Sequence, residues 1–149
     1  MTKPHPKIRV LAENLLAFEP GGKTTGASDA NAIFHVCEKL RPQLANLTGN
    51  VGFRALLSRA LALAGAESAG LRLLHVKSNG SLEGLEELKE KVAAKEFLEG
   101  EKILLSHLLG LLVAFIGENL TMQILCEVWP QLYRNDRSVG NGGKNEKAE

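Results

Sequence analysis

Residues 103–116, Ile-Leu-Leu-Ser-His-Leu-Leu-Gly-Leu-Leu-Val-Ala-Phe-Ile, carry no charge, and eleven of the fourteen are Ile, Leu, Val, Ala or Phe. A helix this apolar on every side is either wrapped by protein or immersed in lipid. Crossing a bilayer takes about 20 such residues. Here the run is bounded by Glu101-Lys102 on one side and Gly117-Glu118-Asn119 on the other. The run therefore predicts a central core helix covered by other helices, and no membrane partner.

The flanking sequence supplies those helices. Pro6 can open a first helix, where its missing N–H costs nothing. Ile8, Leu11, Leu15 and Phe18 then recur at helical spacing until Pro20-Gly21-Gly22. Ser28 or Asp29 can cap a second helix bearing Ile33, Val36, Cys37, Leu40, Leu44 and Leu47. Pro42 lies inside that stripe, so a kink near Leu40 is expected, because the stripe continues in register. Thr48-Gly49-Asn50 breaks the pattern before a third helix with Phe53, Leu56, Leu57, Ala60, Leu61 and Ala64. On that helix, Gly52 and the alanines would let a neighbouring helix approach closely.

Residues 71–82 read two ways: a short extended or hairpin segment turning at Asn79-Gly80, or a helix ending at Lys77. A charged helix is expected from Ser81 to Lys95, with Leu82, Leu85, Leu88 and Val92 inward, and Gly100 separates it from the apolar helix. A last helix runs from Asn119 to about Trp129. It is apolar on two faces, Leu120, Ile124 and Val128 on one and Met122, Leu125 and Trp129 towards the other. The fold class that follows is all-α: a single helical bundle of five to seven helices over residues 1–133, with 134–149 as a disordered tail.

At 149 residues the chain fits one domain, and its low aromatic content with abundant leucine favours helix over strand. A net charge of +1 argues against nucleic acid as a partner. A helix-turn-helix reading of Leu40 to Ala64 offers few side chains for base edges. Cys37 and Cys126 do not make a disulfide framework and read as reduced thiols. Ile8 to Phe18 is interrupted by Arg9, Glu13 and Asn14, unlike the apolar part of a signal peptide, so the expectation is cytoplasmic.

Chemical signals are sparse. Gly21-Gly22-Lys23-Thr24 lacks the glycine that a phosphate-binding loop needs five residues before its Gly-Lys pair; Ala17 stands there. His5, His35, His75 and His107 form no pair at metal-ligand spacing, so no metal or cofactor is expected. His107, inside the apolar run, reads first as a hydrogen-bonded core histidine. Glu118 reads as a carboxylate favoured by a helix N-terminus. A second reading pairs Glu118 with Arg54 or Arg59, or joins His107, Glu118 and Arg54 around a small apolar ligand, in a sensor or enzyme. The remaining acids are expected on exposed faces. No catalytic residue is singled out. The function expected is a non-catalytic interaction or regulatory module. It would self-associate as a dimer, or bind another protein, through an apolar face carrying Met122, Leu125 and Trp129.

Overall fold

A computed structural model describes residues 6–19 and 32–132. The expected cap at Ser28 or Asp29, the linker from Pro20 and the tail from 134 lie outside the described residues. Those described form an all-α bundle. In chain order it has α1 (Pro6–Phe18), α2 (Ala32–Glu67), a 3-10 turn (Ala69–Leu73), β1 (His75–Val76), β2 (Leu82–Glu83), α3 (Leu85–Lys91), α4 (Ala94–Ile116) and α5 (Glu118–Val128).

The apolar run is the inner part of α4, which packs against α1, α2, α3 and α5. Six consecutive residues, Leu104 to Leu109, are buried, so the helix is covered on every side there. Each fully buried leucine stabilises the fold by roughly 1.5–3 kcal/mol. Coverage ends before the helix does: Gly110, Leu111 and Val113 are half-buried, and Ala114 and Phe115 are exposed.

Gly100 does not end a helix; α4 runs through it. A Cβ there would lie 3.2 Å from Leu71, so glycine lets the 3-10 turn pack tightly on α4. The break comes instead at Val92-Ala93, where Val92 is extended at φ −124°, ψ 162°. Continued as one helix, the stripe Leu85, Leu88, Val92 would run on to Lys95 and Glu96. The extended residues reset the phase and bring Phe97 inward, where it is 5% exposed.

The charged helix begins at Leu85 rather than Ser81, because Leu82 and Glu83 pair antiparallel with Val76 and His75. Of the two readings of 71–82, the hairpin is the one adopted, after a 3-10 turn. Asn79 and Gly80 make its tip: the Gly80 N–H donates to the Lys77 carbonyl, and Asn79 Oδ1 accepts the Ser81 N–H. The tip seats in the angle of α2. A Cβ on Gly80 would meet Arg41 at 3.2 Å on one arm and Phe53 at 3.4 Å on the other. Ser81 Oγ also donates to Glu38.

That angle is not at Pro42, which sits within helical backbone. It is at Gly49, whose φ of 80° and ψ of 162° fall in a region open essentially to glycine alone. The bend is tight enough that a Cβ on Gly52 would lie 2.5 Å from Thr48 Cβ. The small residue at 52 therefore makes room for the helix's own bend, not for a neighbouring helix. A second bend with nearly the same backbone, φ 91° and ψ 159° at Gly117, joins α4 to α5.

Candidate functional site

The corner between α4 and α5 is where the most apolar part of the chain meets solvent. Gly117 caps α4 by donating its N–H to the Val113 carbonyl at 2.9 Å. Its own carbonyl accepts both the Thr121 N–H, at 3.1 Å, and Thr121 Oγ1, at 2.7 Å. Among the described residues, nothing lies within 4 Å of where a Gly117 side chain would start. On either side Phe115 is 61% exposed and Leu120 37%. Glu118 sits in the first turn of α5, the position in which a helix N-terminus favours a carboxylate. It pairs with Lys7 at 3.1 Å, but both side chains are more than half exposed, so the pair adds little stability.

Beyond the corner, α5 turns inward. Leu125 and Trp129 are buried in the chain's own core, whereas Met122 is half-buried. The face expected to be left over is thus largely used within the chain. Trp129, the single tryptophan, anchors it. Its Nε1–H donates to Glu19 Oε2 at 2.6 Å, and Lys39 Nζ donates to the same oxygen at 2.9 Å. Lys39 Nζ also lies 5.9 Å from the Trp129 ring centroid, within cation–π range. This clasp ties the end of α5 to α1 and α2.

The structure does not join His107, Glu118 and Arg54. His107 is 5% exposed, and its Nε2 lies 2.6 Å from Glu67 Oε2 at the end of α2. Arg54 packs beside Gly80 at the hairpin tip. Glu118 is held by Lys7, more than two helical turns along the chain from His107. A cleft of about 440 Å³ opens between α2 and the 3-10 turn, lined in part by Leu61, Gly65, Leu71 and Arg72. Arg72 Nε closes one edge by donating to the Gly65 carbonyl at 3.2 Å. None of the three residues lines it.

Two acids expected on exposed faces are buried: Glu19 is 2% exposed and Glu101 5%. Their positions carry a readable signal. Glu19 follows Ala12 and Leu15 at spacings of three and four, and Glu101 falls between Phe97 and Leu104 on the same stripe. Glu19 is matched by the Lys39 ammonium and the indole N–H. Glu101 accepts the Ile33 N–H, at 3.2 Å, in the first turn of α2. Burial pushes its carboxyl up to about 7, against the smaller opposite pulls of that N–H and of Lys89. Burial likewise pushes the Cys37 thiol up to about 12, with the charge of Glu38 adding to it, so this sulfur is not a nucleophile at neutral pH.

Among the described residues, no group of three or more His, Cys, Asp and Glu is placed to hold a metal ion. No helix among them is long and apolar enough to cross a membrane. No protein-family model, curated protein or solved structure matches the chain.

Proposed function

We propose that this protein is a non-catalytic helical interaction module that self-associates as a twofold dimer through the α4–α5 corner. The observation that carries the reading is the exposure of Phe115 and Leu120 on either side of Gly117, at the end of a helix whose middle, Leu104 to Leu109, is covered on all sides. Large apolar side chains grouped at one corner favour a protein partner, and a closed twofold pair is the commonest solution. The expected contact thus moves from Leu125 and Trp129, which serve the chain's own core, to the other face of α5. Met122, on the same face as Leu125, is half-buried.

Sedimentation velocity across micromolar concentrations tests this. The parent should move towards twice 16.1 kDa as concentration rises. Leu120→Glu, a change at an exposed position, should keep the helical spectrum and stay at one chain. A parent that remains at 16.1 kDa throughout would contradict the reading.

A further inference from the structure

We infer that the cleft between α2 and the 3-10 turn is a docking site for an acidic peptide: an extended segment of a partner protein, with an apolar side chain between two carboxylates, held by Arg54 and Arg72. None of the lining residues belongs to the α4–α5 corner, so docking here does not depend on self-association there.

Three observations point to it. The first is the distribution of charge. From Leu40 to Leu82 the basic residues Arg41, Arg54, Arg59, Arg72 and Lys77 stand against a single acid, Glu67. From Glu83 to Glu101 the balance reverses, with seven glutamates against three lysines. Glu67 is itself taken up by His107, 2.6 Å away. The cleft is built wholly from the basic stretch, and no carboxylate among the described residues lines it.

The second is the guanidinium at its edge. Gly65 has no side chain to hold Arg72 off the helix; a Cβ there would lie 3.2 Å from Arg72 Cγ. Arg72 Nε donates to the Gly65 carbonyl. That bond fixes the guanidinium plane and leaves both Nη groups without a partner among the described residues. A carboxylate accepts from such a pair of N–H groups with both strength and direction. Arg54 likewise has no ion pair among the described residues.

The third is the shape. On α2, Arg54, Ser58, Leu61 and Gly65 follow one another at spacings of four, three and four, so they stand in one row. The row runs for about 16 Å at 1.5 Å per residue, from Arg54 beside the hairpin tip to Arg72 at Gly65. Leu71 and Leu74 line the other side, and Ala62 and Ala66, both exposed, leave the mouth wide. An extended chain covers that length in about five residues at roughly 3.3 Å each. The cleft thus offers an apolar seat between two cations. Two cations this far apart match two carboxylates on one extended chain better than a single small anion. Arginine clusters read acidic motifs by this complementarity.

The test is fluorescence anisotropy on the full chain with a fluorescein-labelled peptide of nine residues. The peptide carries glutamate at its third and eighth positions, leucine between them and alanine elsewhere. The parent should bind it saturably, and added salt should weaken binding because the charges are exposed. Glutamine in place of either glutamate of the peptide, or alanine in place of its leucine, should weaken binding about threefold or more. Arg72→Gln and Ala62→Glu, both at exposed positions lining the cleft, should do the same with the helical spectrum intact. Arg59→Gln, outside the cleft, should leave binding unchanged. No saturable binding up to about 1 mM would overturn the assignment. Equal binding of the glutamine-bearing peptides would overturn it as well. So would equal weakening by Arg59→Gln and Arg72→Gln, or a single-stranded oligonucleotide bound as tightly as the peptide, since either would mean a basic surface without a shaped seat.

Discussion

The two glycine bends have almost the same backbone, φ 80° and ψ 162° at Gly49 against φ 91° and ψ 159° at Gly117. Among the described residues, nothing packs within 4 Å of where a side chain would start at either, and each is flanked by exposed apolar residues, Leu47 and Val51 at the first, Phe115 and Leu120 at the second. Before Gly49 the buried residues of α2 include Ile33, Val36, Cys37, Leu40 and Leu44; after it they include Phe53, Leu57, Ala60, Leu61 and Ala64. On a straight helix these two sets would face directions about a third of a turn apart. The bend brings both to one core, and the hairpin tip fills its inner angle. Straightening at Gly49 would therefore expose one set. At Gly117 the change is larger: Leu104, Leu105, Leu108, Leu109 and Leu112 before it and Ile124 and Leu125 after it would face directions nearly half a turn apart on a straight helix. The same dihedral pair makes both joints, and the change of apolar phase accounts for each.

The largest effect that tests this comparison is expected on α4, where Leu109 is fully buried. Leu109→Lys places an unpaired charge in the core and should cost about 4 kcal/mol or more in chemical denaturation. Leu120→Lys, three residues past Gly117 and exposed, should change the stability of a single chain by less than about 1 kcal/mol. Equal losses at both positions would mean that the corner is as covered as the core.

A smaller effect reports on the far end of α4. The folded chain holds a proton on Glu101 up to about pH 7, whereas an ordinary carboxyl releases it near 4.5. Between those values the folded state binds more protons than the unfolded one, so stability falls as pH rises and levels off above about 7. The full difference is on the order of 3 kcal/mol. Glu101→Gln should remove this part of the slope in a series of denaturant titrations from about pH 4 to 8. A variant with the parent's slope would show that Glu101 titrates as an exposed acid.

The smallest predicted effect is a gain. Ser106 Oγ is buried in the covered stretch of α4 without a hydrogen-bond partner among the described residues. Ser106→Ala should leave the fold intact and raise stability by about 1 kcal/mol. A loss of similar size would reveal a partner for the hydroxyl.

Much of this architecture is legible in the sequence, and the departures share one cause. The central helix, the turn at Asn79-Gly80 and the breaks at Gly49 and Gly117 follow from local composition. What does not follow is phase. Gly100 reads as a separator, yet its meaning depends on Leu71, far away in sequence. Pro42 reads as the kink, but the change of buried face occurs seven residues later, at Gly49. Glu19 and Glu101 belong outside if acids are judged by type alone, although both stand on apolar stripes and are buried. The Trp129 clasp joins residues 110 positions apart, and no local pattern announces it.

The central claim, that each glycine bend turns two apolar faces to one core, is tested most directly by comparing Gly49→Ala and Gly117→Ala side by side in chemical denaturation. Alanine is strained by about 1–3 kcal/mol at either bend and favours helix in its place. At Gly117 opening would turn buried Ile124 and Leu125 away from the core, so Gly117→Ala should lose stability by about the same amount. Gly49→Ala should lose stability likewise. Either variant as stable as the parent would contradict the account.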